Sequence, residues 1–133
     1  MTVTSLDRIL AALAFLAGLL GVAASAAAAH IAGADSLKTA AQFLLFHAPA
    51  ILTVIALSAT GVVRAPLARL AAGLLVIGLC LFCGDLALRV LASRPLFPMA
   101  APSGGFALMA GWLMGAVAVL IPATRLTATR SER

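Results

Sequence analysis

The chain has 133 residues, 64% of them hydrophobic and 10% charged, with a mean hydropathy of +1.18 and a formal net charge of +5. A soluble domain of this size carries far more surface charge, so that class is excluded, and the length allows one domain. The basic residues sit at the ends of apolar runs and in the tail. A pI near 11.2 therefore points to membrane topology and anionic lipid headgroups rather than to nucleic acid.

The first apolar run, Ile9 to Ala29, has the roughly 20 residues an α-helix needs to cross a bilayer. Arg8, this run and Ala24-Ser25-Ala26 together have the layout of a secretory signal with a small-residue cleavage site, but we read the run as a true first span. Ala14, Gly18, Gly21, Ser25 and Ala28 recur at helical spacing and form a smooth stripe for a neighbouring helix. His30 ends the span. Gly33-Ala34-Asp35-Ser36 reads as a turn, with Asp35 or Ser36 as the N-cap of a helix beginning at Leu37.

The second span, Ala41 to Val63, is entered through Lys38 and carries Gln42 and His47 into apolar surroundings. Polar groups are costly in hydrocarbon, so these should face other helices or a watery cavity. Pro49 lacks an N–H, frees the carbonyl of Leu45 and predicts a kink. The third span, Leu67 to Ala92, holds Cys80, Cys83, Asp85 and Arg89 in its second half. The segment from Ser93 to Gly105 contains three prolines and is read as irregular. The fourth span, Gly104 to Ile121, has a packing stripe of Ala107, Gly111, Gly115 and Ala118 that includes a GxxxG step. Residues 123–133 form a polar tail.

The expected fold is an all-α membrane protein, four transmembrane helices in an antiparallel up-down-up-down bundle within one domain. With both termini on one side, that side holds Arg8, Arg64, Arg69, Arg125, Arg130 and Arg133, against Lys38, Arg89 and Arg94 opposite. An excess of Lys and Arg marks the cytoplasmic side, so both termini are placed in the cytoplasm. His30, Lys38, Gln42, His47, Asp85 and Arg89 then gather towards the non-cytoplasmic half as a candidate polar cluster.

Each candidate has a functional and a structural reading. His47 suits a proton relay or a metal ligand, or else a neutral hydrogen bond to a neighbouring helix. At about 100° per residue, Lys38 and Gln42 share a face and His47 points away from both. Asp85 and Arg89, spaced i, i+4 with the acid first, make either a charge pair lining a polar path or a self-neutralising pair snorkelling to the interface. Cys80-Leu81-Phe82-Cys83 has CxxC spacing, yet it lies mid-helix without the electropositive terminus that activates a thiol. A soft-metal site would combine Cys80 or Cys83 with His30 or His47. Trp112 and Phe106 read as packing residues. Pro102-Ser103-Gly104-Gly105 reads as the chain's re-entry into the bilayer, with an anion-binding turn as the other reading. With no phosphate loop, nucleophile triad or paired acids at catalytic spacing, neither an enzyme nor a cofactor is expected.

Leu37-Lys38-Thr39-Ala40 with Gln42, Phe43 and His47-Ala48 matches the pattern Leu-Lys-Thr-Ala-x-Gln-aromatic-x-x-x-His-Ala, and Pro102-x-Gly104-Gly105 followed by Gly111-Trp112 matches a second. By these motifs, and across nearly the whole length to Ile121, the chain resembles the YgdD-like family of small four-span membrane proteins of unknown function, whose relatives include a small mitochondrial transmembrane protein. His30 stands where that family has a histidine. Cys83 and Asp85 replace hydroxyl residues of its Phe-Ser-Gly-Ser-Leu. The resemblance implies a four-helix inner-membrane protein. The expected function is a structural or accessory subunit packing with other membrane proteins or as a homo-oligomer. The alternative is a small carrier or channel for protons, a metal ion or a small polar solute, through His30, Gln42, His47 and Asp85.

Overall fold

The structure, a computed structural model, describes residues 3–121. The tail at 123–133, with Arg125, Arg130 and Arg133, lies outside the described residues. Four helices follow one another: α1 (Ser5–Ala28), α2 (Asp35–Ala59), α3 (Ala65–Leu91) and α4 (Ala100–Leu120). All four are long and apolar enough to cross a membrane.

Each helix starts earlier than its apolar run, because starts are set by polar residues and prolines that the run does not include. Thr4 caps α1 in a reciprocal box: its hydroxyl accepts from the Asp7 N–H at 3.4 Å, and the Asp7 carboxylate accepts from the Thr4 N–H at 2.9 Å. In α2 neither Asp35 nor Ser36 is the N-cap. Ala34 takes that position without a side-chain bond, and Asp35 becomes the first helical residue, where a negative charge suits the helix dipole. Pro66 occupies the first turn of α3, where its missing N–H costs nothing. The same rule corrects the reading of Pro102: it lies in the first turn of α4, so Pro102-Ser103-Gly104-Gly105 is helix rather than an irregular connection. Helix α2 runs unbroken through Pro49.

Residue pairs across the interfaces establish that neighbours are antiparallel. Gly18 lies beside Ala48 and Gly21 beside Leu45; Cys83 bonds the Ala40 carbonyl and the Phe82 ring lies tilted against Phe43; Gly78 meets Leu108 and Gly111 meets Leu75. In each set one number rises as the other falls. Helices α2 and α3 form the central pair, with α1 packed on α2 and α4 on α3, while α1 touches α3 more lightly. The start of α1 and the end of α4 therefore lie at the same end of the bundle.

The core consists largely of small side chains. Ala14, Ala41, Ala68, Ala71, Ala72 and Ala118 are fully buried, whereas Phe15, Leu19, Phe106 and Leu113 are exposed around the perimeter. Lipid is as apolar as leucine, so helices gain most from close contact through small residues, and large apolar groups lose little by facing outward. The predicted stripes hold in part. Ala14, Gly21 and Ala28 are buried, but Ser25 is exposed and Ala17 takes part instead. On α4, Gly111 is buried against Leu75, while Gly115 has open space where a Cβ would stand.

Candidate functional site: satisfied polar groups beside an apolar groove

His47 is buried on the inner side of α2 and bonded through both ring nitrogens. Its Nδ1 lies 2.7 Å from the Phe43 carbonyl, one turn back, and the Trp112 indole N–H of α4 donates to its Nε2 at 3.0 Å. An indole N–H can only donate and a carbonyl can only accept. Nε2 must therefore be the bare nitrogen and Nδ1 must carry the hydrogen, which fixes His47 as the neutral Nδ1–H tautomer. The ring also stacks at 5.6 Å on Phe43 and meets Trp112 edge-on at 5.8 Å. The hydrogen bond to a neighbouring helix, one of the two readings of His47, is present. Trp112, read from sequence as packing only, is its partner. The available signal was that an indole N–H held in hydrocarbon needs an acceptor.

Asp85 is fully buried, yet its carboxylate is used on both sides. Oδ2 accepts from Arg89 Nε at 2.7 Å, and Oδ1 accepts from the backbone N–H of Leu96 at 2.7 Å. Arg89 remains half exposed, as a residue reaching towards an interface should be. Asp85 thus neutralises itself through the i+4 arginine and pins the connection between α3 and α4 back onto α3.

At the other end, Asp7 is buried and joins α1 to α3 through two bonds from Arg69, Nε to Oδ1 at 2.8 Å and Nη2 to Oδ2 at 3.0 Å. Sequence reasoning missed this pair. The Thr4-x-x-Asp7 capping pattern was the signal for the acid, but nothing local to it names Arg69 as the partner.

The expected polar cluster does not form. His30 is exposed just beyond the end of α1, Gln42 is exposed on α2, and Lys38 is exposed and paired with Asp35 at 3.6 Å. None of His30, Gln42, His47 and Asp85 bonds another, so the route proposed through them is not joined. His47 lies level with Gly18, roughly 13 Å along the helix axis from Lys38 at about 1.5 Å per residue. Asp85 instead lies near the level of Lys38, and the side chains point in different directions around their helices. The metal reading fails likewise: among the described residues no three His, Cys, Asp or Glu side chains stand together. Cys83 is buried with its Sγ 3.5 Å from the Ala40 carbonyl, while Cys80, one turn earlier, is exposed. Among the described residues every buried side-chain nitrogen or oxygen has a partner.

What remains open is apolar. A groove of about 540 Å³ separates α1 from α3 above a floor from α2, lined by Leu16, Leu20 and Ala24 on one wall, Leu44 below, and Cys80 and Gly84 on the other wall. Such a fold, with the buried polar side chains of the described residues satisfied and its perimeter largely apolar, defines a multi-pass, four-helix membrane protein. A family described as "Protein of unknown function (DUF423)" matches residues 22–105, more than half the chain, and the protein belongs to that family. No curated protein and no solved structure matches the chain. The matched region contains the stretch from Leu37 to Ala48 and the Asp85 segment, but ends before Trp112.

Proposed function

We propose that this is a non-enzymatic protein of the inner (plasma) membrane, with both termini cytoplasmic, that acts by packing against another membrane protein or a second copy of itself. The observation that carries the reading is the open groove between α1 and α3, whose alanines Ala23, Ala24 and Ala27 let another helix approach closely. The satisfied buried polar groups support it too, since among the described residues no buried side-chain nitrogen or oxygen is left without a partner. The cytoplasmic placement of the termini follows from the excess of Lys and Arg at that end. Likeness to the YgdD-like proteins and their mitochondrial relative, carried by Leu37-Lys38-Thr39-Ala40, Gln42, Phe43 and His47, belongs to the same reading.

Cys80 supplies the test, because its thiol lines the groove and is exposed while Cys83 is buried. A membrane-permeant maleimide carrying a photoactivatable benzophenone is attached to Cys80 in native membranes and irradiated. A protein adduct, either a dimer or a heavier species that is lost in Cys80→Ser, is the expected result. Adducts with lipid alone overturn the proposal.

A further inference from the structure

Helices α2 and α4 sit on opposite sides of a gap over α3, lined by Val54 and Leu57 from α2, Leu75 from α3, and Gly115 and Val119 from α4. Across it the direct polar tie is the bond from Trp112 to His47. That bond requires Nε2 to be unprotonated. A proton arriving there would set an imidazolium N–H against an indole N–H at the same 3.0 Å, two donors with no acceptor between them. The other ring nitrogen offers no escape, because its hydrogen already serves the Phe43 carbonyl.

We propose that His47 and Trp112 form a latch between α2 and α4 that a proton releases. Among the described residues no charged side chain of the packed helices stands beside the imidazole. Helix α2 carries no charged side chain beyond Lys38, and α4 carries no ionisable one anywhere between Ala100 and Leu120. Facing α2, helix α3 has no charged residue between Arg69 and Asp85. Its ionisable groups there are the thiols of Cys80 and Cys83, the second held at the Ala40 carbonyl. Helix α1 has none between Arg8 and its end at Ala28. The nearest carboxylate on α3, Asp85, is occupied by Arg89 and Leu96, so no acid stands ready to hold the imidazolium in place. Trp112 is 54% exposed, so its ring has room to swing away from α2 once the bond is lost. The consequence is a bundle whose α4 is tied to α2 in the neutral state and held by α3 alone in the protonated one. This inference does not depend on the protein having a partner in its groove.

The chain carries its own probe, since Trp112 is its one tryptophan and it has no tyrosine. The protein in lipid nanodiscs is titrated from about pH 8 to pH 5, the range in which imidazole ordinarily changes charge. Expected is a single sigmoidal loss of indole emission. It should be accompanied, in ultraviolet resonance Raman, by a shift of the indole N–H band to its non-bonded position. His47→Gln keeps an acceptor but cannot take up the proton, so it should abolish the titration, while His30→Gln should leave it intact. Emission and Raman band both flat across the range in the unaltered protein would overturn the latch. So would a titration that survives His47→Gln or disappears in His30→Gln. The Raman measurement needs no substitution, and so decides the matter even if His47→Gln does not fold.

Discussion

The two outer helices are attached to the central pair in different ways. Helix α4 lies on α3 at backbone distance. Leu108 fills the space at Gly78, Leu75 fills the space at Gly111, and Gly104 sits directly against the main chain of α3 at Phe82. Helix α1 meets α2 at Gly21, against Leu45, and is tied to α3 near its start by Asp7 and Arg69. Between that tie and the far end of α1 lies the groove. In hydrocarbon there is no solvent to drive apolar faces together, so helices join where side chains are removed or where polar groups bond. Between α3 and α4 such features recur at successive turns, at Gly78 of α3 and at Gly104 and Gly111 of α4. Facing α1, helix α3 presents Gly84 among leucines, Cys80 and Ala87, but no side chain of α1 fills the space at Gly84, and the surface stays open.

The contrast is broken most severely at Gly104. A Cβ there would stand 2.5 Å from the Phe82 nitrogen and 2.9 Å from the Gly78 carbonyl oxygen, both main-chain atoms that cannot step aside. Gly104→Ala should force α3 and α4 apart at a cost of about 1–3 kcal/mol or more, read as a lowered unfolding midpoint in a denaturing-detergent titration. An unchanged midpoint would mean that α4 is held no more tightly than α1.

The next effect falls on the α1 side. One carboxylate, Asp7, both closes the cap with Thr4 and receives Arg69. Thr4→Ala should cost about 1 kcal/mol, the usual worth of an N-cap, and Asp7→Ala should cost more because cap and cross-helix bond are lost together. Combining Thr4→Ala with Arg69→Ala sharpens the point. If the cap orients the carboxylate for Arg69, the double variant loses less than the sum of the singles; strict additivity would make the two roles independent.

These sites also mark where sequence reading stops. The four spans are legible because apolar runs long enough to cross a bilayer leave few alternatives. The separation of His47 from Lys38 and Gln42 is legible too, because 100° per residue fixes which side of one helix a residue takes. The structure buries His47 and exposes the other two. Depth along the bundle is likewise a matter of counting. The direction in which each helix faces its neighbours is not. Six polar residues in one half of the bundle therefore looked like a cluster, and prove to be separate pairs and exposed side chains. The bond between His47 and Trp112 joins α2 to α4, helices that are not consecutive, and no spacing within either one encodes it.

The smallest effect should have the opposite sign. Gly111 and Gly115 are one turn apart and look interchangeable as the two ends of a GxxxG step, but they face different surroundings. A Cβ on Gly111 would lie 2.8 Å from Leu75 Cγ and 3.1 Å from the Leu75 nitrogen, whereas around Gly115 nothing lies within 4 Å. Gly111→Ala should therefore destabilise the bundle. Gly115→Ala, which projects into the gap between α2 and α4, should stabilise it by up to about 1 kcal/mol by stiffening the helix. The same detergent titration reads both. If the two substitutions move the midpoint the same way, Gly115 is in contact with something the isolated chain does not contain. In a membrane protein with an apolar perimeter, that contact would be a second protein lying against α4, and the comparison between its two faces would have to be redrawn around it.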